Sequence, residues 1–333
     1  MNCQDNYGRS VDYLRVSVTD RCNLRCVYCM PPDGVPWKAR HAILNLEQIA
    51  QIVEAAAGLG FRKVRLTGGE PLARKGLVDL VAAIAATPGI QEVSMTTNAT
   101  LLHRFAEDLA AAGLARVNIS LDSLRPDRFR RITRLGDIDL VWKGIEAAER
   151  AGLSPLKINV VVVRGLNDDE LADFARLTYV HAWHIRFIEV MPVGNGLDWG
   201  PGMPVASERF VSVAEIQARL ADLGSLVPVT GPHGNGPARY AQLPGARGTI
   251  GFISPLSEHF CAACNRLRLT ADGRFRACLF SDRSVHMKPA LDAGAGVAEL
   301  QALIRRTIAI KPLERPLPAT VGVADAAMSA IGG

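Results

Sequence analysis

Between Leu14 and about Leu223 a short β-type run and a longer amphipathic run follow one another six times. The β-type runs are LRVSVT, KVRLT, EVSMTTN, RVNISLD, LKINVVVV and HIRFIEVM. Between them lie segments such as LEQIAQIVEAAAGLG and FAEDLAAAGLA, apolar at helical spacing and closed by glycine. A strand that reaches a parallel neighbour through a helix does so with one handedness, so this order commits the chain to an α/β fold with a parallel sheet and helices outside it. Six units make three-quarters of an eight-stranded barrel, and the expectation is an incomplete (βα)6 barrel of the TIM type.

The strands also divide by parity. Leu14, Val16 and Val18 alternate with Arg15, Ser17 and Thr19; Val64 and Leu66 with Lys63, Arg65 and Thr67. Val93 and Met95 alternate with Ser94 and Thr96, and Val117, Ile119 and Leu121 with Asn118, Ser120 and Asp122. The fifth run opens with Lys157 and Asn159 in its polar row and then becomes wholly apolar, while in the sixth Arg186 and Ile188 share a row. Since the apolar row must pack on helices, the polar row faces a lumen that is wet and carries several positive charges. An open sheet with one solvated face is the alternative that this pattern leaves standing.

After Gly224 the character changes: Pro and Gly crowd VTGPHGNGPARYAQLPGARG, ARYAQL and GTIGFIS read as a short antiparallel pair, and a last helix, VAELQALIRRTIAI, leads into a Pro-rich tail. We therefore expect a barrel domain over 6–231 and a C-terminal α+β extension over 232–333. Hydrophobic residues at 48% and charged residues at 21% of the 333 exclude a disordered chain. The net charge of +5 contains no Lys/Arg run dense enough for a polynucleotide track, so it suits a small anion and not a nucleic-acid partner. No apolar stretch reaches membrane-spanning length and MNCQDNYGRS has no signal-peptide core, so a cytoplasmic protein without membrane association is expected.

In a reducing compartment the seven cysteines point to metal, because six of them form two trios: Cys22, Cys26 and Cys29, then Cys261, Cys264 and Cys278. A four-iron cluster takes a thiolate at each iron, so three cysteines at spacings of four and three leave one iron open. Zinc would need a fourth nitrogen or sulfur; for the first trio the nearest histidine, His41, stands at no zinc spacing, whereas for the second His259 or His286 could serve. Arg266 and Arg268 follow Cys264 at period two and point the same way on a strand, as two guanidinium forks suited to phosphate. Cys3 reads as a free thiol, and His103, His181 and His184 as structural or surface residues.

SVTDRCNLRCVYCMP resembles the CxxxCxxC loop of the radical S-adenosylmethionine (SAM) superfamily. RLTGGEPLARKGL, NISLDSLRPDRFRRIT, KINVVVVRGLNDDE, RFIEVMP, GPARY, FCAACNRLRLTADGRFRACLF and the terminal MSAIGG are similar to the pattern of its GTP 3',8-cyclase family over nearly the whole chain. The resemblance implies a [4Fe-4S] cluster on Cys22, Cys26 and Cys29 whose open iron chelates SAM, and a second on Cys261, Cys264 and Cys278 whose open iron meets the guanine of GTP. It implies SAM contacts at Tyr28, Gly69, Ser120 and Met191, with Gly68-Gly69-Glu70-Pro71 receiving the SAM amino group. GTP contacts fall on Arg15, Arg65, Thr96, Lys157, Arg266, Leu267 and Arg268, with Lys63 and Arg186 as further candidates. The activity implied is a lyase reaction of molybdenum cofactor biosynthesis in which a 5'-deoxyadenosyl radical takes the C3' hydrogen of GTP, C3' closes on C8, and Gly332-Gly333 enters the site. Implied partners are an electron donor such as flavodoxin or ferredoxin, the downstream cyclic pyranopterin monophosphate synthase, and a second copy in a homodimer. Ala99 replaces a usual glycine, and HMKPALDAG and ERPLPATVGVAD depart from the family pattern, so local differences are expected there. Two other readings are a different two-cluster radical SAM enzyme acting on peptide or RNA, and a zinc-dependent nucleic-acid-binding protein.

Overall fold

The computed structural model describes residues 3–191, 199–231 and 236–314. Along the chain run β1 (Tyr13–Ser17), α1 (Leu46–Gly58), β2 (Lys63–Thr67), α2 (Leu77–Ala85), β3 (Glu92–Thr97), α3 (Ala106–Ala111), β4 (Leu114–Ser120), α4 (Pro126–Thr133), α5 (Ile138–Arg150), β5 (Lys157–Val162), α6 (Leu171–Val180) and β6 (His184–Glu189). Then come α7 (Val213–Arg219) and β7 (Val227–Val229), and the extension adds β8 (Arg239–Gln242), β9 (Thr249–Ile253), β10 (Arg266–Leu269), β11 (Arg274–Arg276), β12 (Ser284–His286), α8 (Lys288–Asp292) and α9 (Val297–Ala309). Three of the described α-helices start where a side chain satisfies their first free N–H groups. Asn45 and Gln48 form a reciprocal capping box on α1, and Asp137 and Ser212 cap α5 and α7. Among the described residues no helix is long and apolar enough to cross a membrane.

Among the described residues the strands form one sheet in the order β12-β11-β10-β1-β2-β3-β4-β5-β6-β9-β8-β7. The six expected strands are parallel, and the extension lengthens them on both sides: β10 pairs parallel with β1 and β9 parallel with β6, with antiparallel hairpins outside each. ARYAQL and GTIGFIS are the antiparallel pair β8 and β9, as read. Their attachment to the barrel was not legible, because parallel pairing is set by distant residues and leaves no local signature.

Leu14, Val16, Val64, Leu66, Met95, Val117, Ile119, Ile158 and Val160 are buried in a core shared with Ile49, Ile52, Val81, Ile84, Val141 and Phe174 from the helices. The other row, including Arg15, Arg65, Thr96, Ser120, Asn159 and Arg186, lines a single cavity. In a flat sheet β1 and β6 would stand roughly 24 Å apart, so sharing a cavity requires the sheet to curl. Ala99 keeps the left-handed turn that a glycine makes easily, with φ of 62°, and packs fully buried against Gly144, where a Cβ would meet its carbonyl oxygen.

Glu189, buried at the end of β6, fastens extension to barrel. Its carboxylate accepts from the main-chain N–H groups of Val213 (3.1 Å), Leu256 (2.9 Å) and Ser257 (3.0 Å), and from the Ser257 hydroxyl. Glu189→Ala leaves these buried donors unmatched, so chemical denaturation should show a loss of roughly 3 kcal/mol or more.

Candidate active site

The loop from Cys22 to Cys29 is held by its main chain. Arg25 and Val27 donate to the carbonyls of Thr133 (3.0 Å) and Ile132 (2.9 Å) at the end of α4, and Val27 is buried with Ile132, Val163, Leu166 and Trp199. Arg134, at φ 63°, donates back to the carbonyls of Arg25 (3.0 Å) and Met30 (2.8 Å). With its backbone fixed from below, the loop can turn its three thiols into the cavity, whose lining includes all of them.

From the side, the β1–β2 pairing continues beyond the strand ends: Gly69 donates to the Thr19 carbonyl (2.9 Å) and Glu70 to that of Arg21 (2.8 Å). A Cβ on Gly69 would lie 2.3 Å from the Arg21 carbonyl oxygen and 3.0 Å from the Cys22 nitrogen. Glycine is therefore what lets β2 press against the cysteine loop. Buried Glu70 accepts from Leu72 N–H (3.0 Å), the Thr97 hydroxyl (2.7 Å) and Asn98 N–H (2.8 Å), and burial pushes its carboxyl up to about 7. Asn98 in turn donates to Asn23 (2.9 Å) beside Cys22.

Tyr28 stands edge-on to Trp199 at 6.5 Å and donates its hydroxyl to Asp122 (2.5 Å), whose second oxygen accepts from Val161 N–H (2.8 Å). Burial pushes the Asp122 carboxyl up to about 6. It also pushes the Cys22 thiol up to about 12 and Cys26 well above the usual range, so a metal entering here displaces protons.

The second trio is assembled by the β10–β11 hairpin, which returns the chain so that Cys278 meets Cys261 and Cys264 in the lining of the same cavity. Lys311, buried beyond α9, donates to Cys264 Sγ (3.4 Å) and to the carbonyls of Arg266 (2.8 Å) and Ala277 (3.0 Å). Burial alone raises the Cys264 thiol, but the cations of Arg266 and Lys311 outweigh it and bring it down to about 6. Among the described residues no three His, Cys, Asp or Glu side chains are drawn closely enough for a single metal ion. Both trios line the cavity, and three thiolates on a four-iron cluster leave one iron for a small molecule. Of the two histidines considered as zinc ligands, His259 lines the cavity, and His286 is bonded to the Asp272 carbonyl (2.9 Å) away from it.

The cavity, of about 320 Å³, also gathers the cations. Register places Arg65, Arg15 and Arg268 directly opposite one another on β2, β1 and β10. Like charges so paired repel. Burial, then Arg268 and Arg65, hold Arg15 well below the usual arginine range; Arg65 and Arg268 are each brought down to about 10, chiefly by burial. Arg186 lines the same space, and its Nε has no hydrogen-bond partner among the described residues. Arg266 lies 4.9 Å from the Phe260 ring. Deeper, Arg116 is neutralised by Glu92 (2.6 Å). Lys157 is brought down to about 6 by burial and then by Arg116, Arg186 and Arg65.

All six trio cysteines, Tyr28, Gly69, Ser120, Met191, Arg15, Arg65, Thr96, Arg266 and Arg268 line this one cavity. Lys157, buried opposite Asn118 and His184, lies outside the lining, as does Lys63. Leu267 is fully buried opposite Leu14, in the apolar row that continues to Val64, so only its main chain can face a ligand. His181 stacks on Trp183 at 3.7 Å and His184 bonds Thr249 (2.7 Å), both structural as read. Gly332-Gly333 lies outside the described residues. Sequence reasoning missed Arg134 and Lys311, which carry no local motif, and missed Asp122 as a partner of Tyr28, although its place in the polar row could have suggested one.

The radical SAM superfamily model matches residues 16–178, and the Molybdenum Cofactor Synthesis C model matches residues 183–315. The chain is 51% identical to the GTP 3',8-cyclase of Moorella thermoacetica over 93% of its own length and 94% of that protein's. It is 50% identical to the GTP 3',8-cyclase of Heliobacterium modesticaldum over 99% of both. Among solved structures it is similar in fold to Streptococcus suis SuiB bound to precursor peptide SuiA, with a TM-score of 0.60 at 15% identity, covering 89% of this chain and 66% of that one. SuiB bound to S-adenosylmethionine matches with a TM-score of 0.59 at 14% identity over 97% and 72%.

Gly69→Ala should drive the main chain at Arg21–Cys22 out of place without touching the second trio. Iron bound per chain after anaerobic reconstitution should fall to about half of wild type while far-UV circular dichroism stays unchanged.

Proposed function

The chain belongs to the GTP 3',8-cyclase family of radical SAM enzymes, and on that premise we infer that it converts GTP to (8S)-3',8-cyclo-7,8-dihydroguanosine 5'-triphosphate, the first step of molybdenum cofactor biosynthesis, using SAM and two [4Fe-4S] clusters. The observation that carries the substrate reading is the row Arg65–Arg15–Arg268, three mutually repelling guanidinium groups in one cavity with both cysteine trios. A triphosphate, with about four negative charges, turns that repulsion into attraction.

A [4Fe-4S] cluster held by Cys22, Cys26 and Cys29 would supply the one-electron reduction of SAM on which hydrogen abstraction from C3' of GTP depends. The protein's share is placement. Cys22, Cys26 and Cys29 hold the first cluster and Cys261, Cys264 and Cys278 the second. Tyr28, Gly69, Ser120 and Met191 receive SAM, with Tyr28 steadied by Asp122. Arg15, Arg65, Thr96, Arg186, Arg266 and Arg268, with the main chain at Leu267, hold GTP, and Lys157, buried behind that lining, acts on the triphosphate through its charge. Apolar walls from Val161, Ile188 and Ile253 exclude water from the radical. On this reading the activity belongs in the cytoplasm. The chemistry requires a one-electron donor such as flavodoxin or ferredoxin, and its product suits cyclic pyranopterin monophosphate synthase. A homodimer and a division of the chain near residue 231 complete the reading.

Arg268→Ala and Arg266→Ala should each weaken GTP binding by about 10- to 100-fold, measured by calorimetry, while SAM cleavage without GTP continues. Unchanged GTP affinity in both variants would overturn the triphosphate reading. Lys157 yields a sign as well. At about 6 it is largely uncharged at neutral pH, and a bound triphosphate restores its charge, so binding takes up a proton. Above about pH 7.5, where the triphosphate is fully ionised, GTP affinity should fall as pH rises. Calorimetry in buffers of different ionisation enthalpy should detect uptake in the wild type and none in Lys157→Met.

A further inference from the structure

The root of the C-terminal tail is stapled to the second cysteine trio by two buried cations. Lys311 reaches inward, and its three ammonium protons have three acceptors: Cys264 Sγ (3.4 Å) and the carbonyls of Arg266 (2.8 Å) and Ala277 (3.0 Å). Arg9 closes the other side. Its Nη1 donates to the carbonyls of Cys261 (2.8 Å) and Leu313 (3.0 Å) and its Nη2 to that of Pro312 (2.6 Å), while its Nε pairs with Asp5 (2.5 Å). Residues 311–313 are thus fixed against the loop that carries Cys261 and Cys264 and against the residue before Cys278. Lys311 is 4% exposed, and all three of its partners belong to the cysteine-bearing hairpin, so its geometry is built and not incidental.

We propose that Lys311 is a positioning residue for the second iron-sulfur cluster: through its hydrogen bond to the Cys264 sulfur it holds that ligand in place and makes the cluster easier to reduce. The inference rests on the reading that the second trio carries a cluster. A donor on a ligating sulfur draws electron density from the metal, and a fixed positive charge in a poorly polarisable surrounding favours the form with one more electron. The electron gained comes from the external reductant, and no proton or bond change accompanies it.

The test is a dithionite titration of the holoenzyme followed by electron paramagnetic resonance, in wild type, Lys311→Met and Lys311→Arg, with SAM added to mark the first cluster by the change in its signal. Lys311→Met should move the reduction step of the second cluster to more negative potential, Lys311→Arg should return it toward wild type, and the first step should stay put. Loss of the second cluster in Lys311→Met and its recovery in Lys311→Arg, read as iron per chain, would support the same contact. An unmoved second step with full iron content, equal shifts of both steps, or loss of the cluster in both variants would overturn it. Wild-type protein with a single reducible cluster would remove the two-cluster reading itself, a result told apart by iron content before any variant is made.

Discussion

Repulsion among buried cations is the constraint around which this structure is organised. Arg65, Arg15 and Arg268 face one another across three neighbouring strands, with Arg186 and Lys157 close enough to feel the same field. A protein selected for stability alone would place such groups in water or give each a carboxylate, as it does for Arg116 with Glu92. Here three guanidinium groups stand side by side on paired strands, where a bound anion relieves their repulsion. That arrangement explains why a curled sheet, normally filled with hydrocarbon, has a polar interior.

Around this cavity the strand ends are tied by carboxylates that solvent does not reach. Glu70 binds the end of β2 to that of β3, Asp122 binds β4 to β5 and to Tyr28, and Glu189 binds β6 to the chain beyond β9. Each accepts main-chain N–H groups, which fixes loop backbones without a metal or a disulfide. The cysteine loop is seated in this frame by Gly69 on one side and Arg134 on the other. Cluster binding therefore finds its ligands nearly arranged, and the ordering cost is met by folding.

Much of this was readable beforehand for a definite reason. Period-two alternation survives in any strand whose two faces meet different surroundings, so Arg15, Arg65, Thr96 and Ser120 declared their side without knowledge of the third dimension. Cysteine spacing declared the trios in the same way. Leu267 shows the limit: it sits between two phosphate-type arginines in sequence, yet alternation sends its side chain into the core. Lys311 shows another, since it meets Cys264 across 47 residues and nothing in its neighbours announces that meeting. The parallel attachment of β9 and β10 was hidden for the same cause.

The direct pairing of β10 with β1 has a further meaning. The first trio follows the C-terminal end of β1, and the second gathers at the N-terminal end of β10, its parallel partner, so the two redox centres stand at opposite ends of one hydrogen-bonded ladder. Their separation is gauged by the length of those paired strands, not by the long and irregular chain that joins them. Insertions, deletions or drift in that intervening chain can accumulate over evolution while the gap through which substrate must reach from one centre to the other keeps its length.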